Sequence, residues 1–131
     1  MEEYRTIGKI DINKLGDYAN KVITDEVVLT NERLYNHVLI LHKDEYAKLE
    51  KYIKEIIENP DFIIEDNKNK DTIILMKHID EINRNGRIVI KLAVANDEKH
   101  PKNSIITLME LNDRTWKQTL KNRGNVIFEK I

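Results

Sequence analysis

The chain has 131 residues, 40% apolar and 34% charged, with a net charge of −1 and no cysteine. That balance suits one domain, 1–131, with an ordinary buried core, and it excludes a disordered chain, a disulfide framework and a thiolate zinc site. The acidic start MEEYRTIGK has no apolar leader, and runs such as VLIL and IILM are too short to span a bilayer, so a soluble domain with no membrane partner is expected.

RTIGKIDI (5–12) reads as a short strand followed by a loop around Gly16, and DEVVLT (25–30) contains a β-branched run. Thr30 or Asn31 can cap a helix over NERLYNHVLILH, where Leu34, Val38 and Leu41 recur at helical spacing. Asp44 can cap a second helix, DEYAKLEKYIKEIIEN. Tyr46, Leu49, Ile53, Ile56 and Ile57 form its apolar stripe, and Asn59-Pro60 ends it.

After Pro60 the pattern changes to strands: DFIIED (61–66), DTIILMKHI (71–79), RIVIKLAVA (87–95) and SIITLMEL (104–111). NKNKD and NRNG read as tight hairpin turns, with Asn85-Gly86 the strongest such signal. NDEKHPKN (96–103) is a longer polar loop. NDRTWKQTLKNRGN then reads as a helix with Gly124 near its end, and VIFEKI as a last strand. Helices followed by hairpin-linked strands imply an α+β domain, with the helices on one face of a mainly antiparallel sheet.

The near-neutral total hides an asymmetry. Residues 1–66 carry 9 Lys+Arg against 15 Asp+Glu, or −6; residues 67–131 carry 13 against 8, or +5. Such a division can give a local cationic face, or simply scattered solvated charge.

Arg33, His37 and His42 stand on the first predicted helix of a chain with four histidines. Four residues separate Arg33 from His37, which turns both to nearly the same side. Five separate His37 from His42, a rotation of roughly 140° that is poor for two ligands of one zinc ion. No acidic or thiol motif completes a metal set, so neither a metal nor another cofactor is expected. A histidine beside an arginine suits proton transfer at a phosphate; without help from elsewhere in the chain, His37 reads instead as an ordinary partly buried helix residue.

On the strands, Lys91 shares a face with Arg87, Val89 and Ala93, where a lone lysine commonly meets solvent. Ser104 and Thr107 fall on opposite faces of a regular strand, so they serve one site only if a bulge intervenes. Thr107 otherwise reads as a core threonine. Lys77 and His78 are ambiguous, and Trp116 reads as a core anchor. The absence of a Gly-rich phosphate loop, a nucleophile elbow and a dinucleotide fingerprint removes kinases, hydrolases of the elbow type and nicotinamide enzymes.

VVLTNERLYNHVLILHK, IIENPDFIIEDNKNKDTIILMKHI, RIVIKLAV and NSIITLMEL, in that order, resemble the phage-type branch of the barnase–EndoU–colicin–RelE nuclease superfamily. The resemblance covers roughly 5–131. It rests on the ER-x3-H-x4-H helix, the NPD-x-I turn and the NS-x2-T segment. It implies two N-terminal helices packed on a mainly antiparallel, four- to five-stranded sheet, and a metal-independent ribonuclease, toxin-like and associated with phage or mobile elements. The implied catalytic residues are His37, Arg33, Lys91 and Thr107. His42, Ser104 and Lys77 join them as substrate-contacting groups.

The expected substrate is RNA, with tRNA among the candidates, cut to a 2′,3′-cyclic phosphate. An inhibitor or immunity protein is an expected partner, and the cytoplasm, its own or a target cell's, the expected location. The competing expectation is an inactive module of such an element that binds a protein or a nucleic acid. The two part on whether His37, Arg33, Lys91 and Thr107 converge on one open cleft.

Overall fold

A computed structural model describes residues 3–95, 97, 99 and 101–130. The expected polar loop 96–103 and the ends of the chain therefore lie partly outside the described residues. In chain order the elements are β1 (Tyr4–Lys9), two 3-10 turns, β2 (Glu26–Thr30), a helical segment α1 (31–41) and a second, α2 (43–58). Then come β3 (Phe62–Asp66), β4 (Thr72–Ile79), β5 (Arg84–Lys91), β6 (Asn103–Leu111), α3 (Asp113–Asn122) and β7 (Gly124–Glu129).

All seven strands join one sheet, ordered β1-β2-β6-β5-β4-β3-β7. The α+β class and the mainly antiparallel pairing are as expected; the four- to five-stranded count is not. The N-terminal pair β1–β2 extends one side, and β7 adds to β3 on the other. Among the described residues one strand pair is parallel, β2 with β6, through Val27↔Asn103 and Val28↔Ser104. Asn103 fixes that junction: its fully buried amide donates to Thr24 O and Glu26 O and accepts from Ala93 N.

Each face of the sheet has its own core. On one face Leu49, Ile53, Ile56 and Ile57 of α2 pack over Ile63, Ile73, Leu75, Ile88 and Ile90. On the other, Ile64, Ile74, Met76, Val89 and Leu111 lie with Trp116 and Leu120 of α3. Coverage by helices on both faces corrects the expectation of helices on one face only. It also explains the unbroken run Ile73-Ile74-Leu75-Met76, every residue of which is 0% exposed: a strand covered twice has no polar side.

The β4–β5 reversal uses Asp80–Asn83, with Asn83 at φ 50°, and not Asn85-Gly86. Both of those residues lie inside β5. A Cβ on Gly86 would come within 2.8 Å of Ile56 Cδ1, so the glycine admits the α2 helix close to the sheet. Asp44 does not cap α2, which starts at Lys43 without a side-chain cap. Thr30 does cap α1, its Oγ1 accepting from Arg33 N at 3.1 Å.

Candidate active site

The π-helical turn Leu34–Val38 inside α1 sets the positions of both histidines. Leu39 N donates to Leu34 O, five residues back, where an α-helix would close on Tyr35. Leu34 and Val38 remain in the core, but the added residue shifts everything after them. Leu41, expected in the apolar stripe, is 62% exposed beside Ile40 at 68%. His42 comes round towards His37 instead, with ring centroids 6.0 Å apart at 61°, which corrects the divergence expected from regular helical spacing. His42 then leaves the helix at φ −135°, ψ 35°.

Glu45 ties this corner to the sheet. Beyond Ser104 the outer side of β6 has lost β2 as a partner, and Glu110 N donates there to Glu45 Oε2 at 2.5 Å. The other oxygen, Oε1, lies 3.1 Å from His42 Nδ1. The carboxylate thus satisfies a strand-edge donor and holds an imidazole at once.

A bulge decides which strand residues face α1. Val89 pairs with Thr107 while Ile90 pairs with Ile105, leaving Ile106 as an extra residue. Ser104, opposite Lys91, and Thr107, opposite Val89, consequently share one face. This is the irregularity that the two hydroxyls required. His37 Nε2 lies 3.3 Å from Thr107 Oγ1; in the tautomer with Nε2 protonated the imidazole donates to the hydroxyl oxygen and Nδ1 is left with the lone pair.

One pairing further along, Arg33, Lys91, Ser104 and Ile106 line an open cleft of about 330 Å³ whose rim includes Glu32. Lys91 Nζ donates to Lys70 O at 2.9 Å, and Ser104 Oγ donates to Lys102 O at 3.2 Å. His37 is half-buried, and its pKa lies below the ordinary imidazole value. Burial is the main cause, and the charges of Arg33 and His42 add to it. It is therefore mostly neutral at pH 7 and available as a base.

Lys77 stands apart from this group. Its buried ammonium donates to Asn59 O at 2.8 Å, at the end of α2, with Asp61 3.7 Å away. His78 is also elsewhere, bonded through Nδ1 to Asn85 Oδ1 at 2.7 Å. Among the described residues no group of three or more His, Asp or Glu side chains is placed to hold a metal ion. Two residues that sequence reasoning missed belong to the neighbourhood: Glu45, and Arg87, which shares the face of Val89 and Lys91. The alternation of β5 gave Arg87 a signal; for Glu45 the three-residue spacing from His42 was the only one, because its other partner, Glu110 N, comes from β6.

Arg33, Lys91 and Ser104 line the cleft, whereas His37 and its partner Thr107 lie outside its lining; guanidinium, ammonium and hydroxyl groups in a cleft suit contact with a phosphodiester, the substrate of nuclease domains. Residues 2–129 match the family model described as phage-Barnase-EndoU-ColicinE5/D-RelE like nuclease2, and the chain belongs to that family. No curated protein and no solved structure matches the chain. No helix among the described residues is long and apolar enough to cross a membrane.

Proposed function

We propose that the protein is an endoribonuclease of the toxin type, cleaving RNA, with tRNA among its substrates, without a metal ion. The observation that carries this reading is the contact of His37 with Thr107 beside the cleft shared by Arg33, Lys91 and Ser104. His37 removes the proton of a 2′-hydroxyl, whose oxygen bonds to phosphorus. The P–O5′ bond breaks, and the proton passes to the departing 5′ oxygen. Arg33 and Lys91 neutralise charge on the phosphorane, and Ser104 donates to a phosphate oxygen. Thr107 orients the imidazole, and His42, held by Glu45, contacts substrate. The product is a 2′,3′-cyclic phosphate.

The test is incubation of the purified protein with total tRNA and a mixed-sequence RNA in EDTA, with the new ends identified chemically. Cyclic phosphate ends are expected on at least one. Intact RNA in both would sink the reading.

A second reading is favoured by the bond that draws Lys91 Nζ to Lys70 O. In it the domain is an inactive phage or mobile-element module that binds a partner. Tyr35, Ile40 and Leu41, exposed on α1, offer an apolar surface for such a partner or for an inhibitor.

The depressed pKa of His37 gives a signed pH dependence. The acid limb of kcat/KM should have its midpoint below about 6.5, the ordinary imidazole value. Arg33→Gln should move it upward by removing a repelling charge. Stability follows the same sign: the unfolded chain binds the proton more readily, so His37's contribution is present above about pH 6.5 and is lost as pH falls through the folded pKa. A rate profile with its acid midpoint above 6.5 would remove His37 as the base.

A further inference from the structure

The turn 67–71, between β3 and β4, touches the cleft of Arg33 and Lys91 through one bond. Asp66, buried at the start of the turn, accepts from Lys68 N at 2.9 Å and from Asn69 Nδ2 at 3.1 Å, which fixes its shape. At the other end the Lys70 carbonyl accepts twice, from the buried Thr72 hydroxyl at 3.0 Å and from Lys91 Nζ at 2.9 Å. An ammonium has three donors, so the bond that places Lys91 leaves two for a phosphate.

Lys70 also lines a second cleft of about 330 Å³, with Asn20, Lys21, Asp71, Val94 and Ala95. The two clefts are joined at the Lys91–Lys70 bond, since each contributes one of its partners. Backbone pairing holds the second cleft together: Val22 pairs with Val94, and Ala95 N donates to Lys21 O at 3.2 Å. Lys21 Nζ stands over the Tyr18 ring, 5.5 Å from its centroid, a contact that places the ammonium without using its N–H groups. Among the described residues Lys21, Lys70 and Lys91 make no ion pair. The second lining thus sets two ammonium groups against one carboxylate, that of Asp71.

We propose that the second cleft takes the nucleotide next to the scissile phosphate, with its phosphate on Lys21 and Lys70 and its base against Val94 and Ala95. The inference rests on the ribonuclease reading and deepens it by naming a subsite for its RNA. Two ammonium groups attract a phosphate, the apolar wall suits the face of a base, and Asn20 and Asp71 offer hydrogen bonds to its edge. Val94 lies three residues past Lys91, at most about 11 Å along the chain. One strand of consecutive nucleotides reaches both clefts; a single inorganic phosphate occupies only one.

The test is an NMR titration of the backbone amides of the intact protein, first with inorganic phosphate and then with a mixed-sequence DNA tetranucleotide. That DNA lacks the 2′-hydroxyl, so binding is read without cleavage. Saturable shifts at Lys21, Asp71, Val94 and Ala95 are expected with the oligonucleotide, at an affinity at least tenfold above that for inorganic phosphate. Lys21 and Lys70 are exposed, so the double variant Lys21→Gln, Lys70→Gln should fold as wild type does. It should bind the oligonucleotide at least fivefold more weakly, with a slope of log affinity against log salt shallower by about 0.7, the share of one phosphate contact on a single strand. Those four amides unmoved in the wild-type titration, equal affinity for the two ligands, a double variant binding within twofold of wild type, or an unchanged salt slope would each overturn the subsite. RNA cleavage with the four amides silent sinks the subsite alone. DNA binding through the second cleft without RNA cleavage sinks the ribonuclease reading alone.

Discussion

RNA cleavage by the His37→Ala protein should fall about 10²- to 10⁴-fold, the range that general acid–base catalysis supplies. The loss belongs to chemistry and not to folding. Leu34 and Val38, on either side of His37, stay buried and hold α1 in place. Thr107 is only half-buried, so water can replace the imidazole as its partner, and the melting temperature should move little. Thr107→Val should cost only about tenfold, the worth of one neutral hydrogen bond. Initial rates on the same RNA, with circular dichroism melts, separate the two variants. Equal rates for His37→Ala and wild type would move the base elsewhere, and His42, 6.0 Å away, would be examined next.

Both features that build this site are departures from regular geometry. The helix of Arg33 and His37 was legible from its apolar spacing, and its cap from Thr30. The π-turn was not, because nothing in LYNHV marks it. It arises where Leu34 and Val38 must both reach the core while His42 and Glu45 meet the edge of β6. The bulge at Ile106 is similar. Alternation placed Ser104 and Thr107 on opposite faces, and only pairing with β5 reverses that.

The α+β class followed from the order of elements, which survives such local changes. The extent of the sheet did not. β1 and β7 are short and half-exposed; β7 pairs with β3, far away in sequence, and the β1–β2 pair joins the sheet only through the distant β6. The unbroken apolar run Ile73–Met76 did carry a sign of the second covered face. Asn85-Gly86 misled for a definite reason: Gly86 is needed for contact with Ile56 and Leu49 of α2, and no turn needs it.

Gly124→Ala should destabilise the fold by about 3 kcal/mol or more, at the upper end of overpacking effects. Gly124 pairs with Asp66 at the first position of β7. A Cβ there would fall 1.8 Å from Glu65 O and 2.9 Å from Glu65 C. These are backbone atoms of β3, so no rotamer change relieves the clash, and β7 must move away from its partner. Gly86→Ala is the informative contrast. Its Cβ would meet the tip of Ile56 at 2.8 Å, and a side-chain tip can turn aside; about 1 kcal/mol is expected. For a chain of this length the Gly124 change corresponds to a melting temperature lower by roughly 10 °C. Because β7 and β6 are separated by three strands, β5, β4 and β3, the cleft at Arg33 and Ser104 should keep its geometry below the melting point. RNA cleavage at low temperature should then stay close to wild type while thermal stability falls. A Gly124→Ala protein that melts within about 2 °C of wild type would mean that β7 does not pair with β3 in this register.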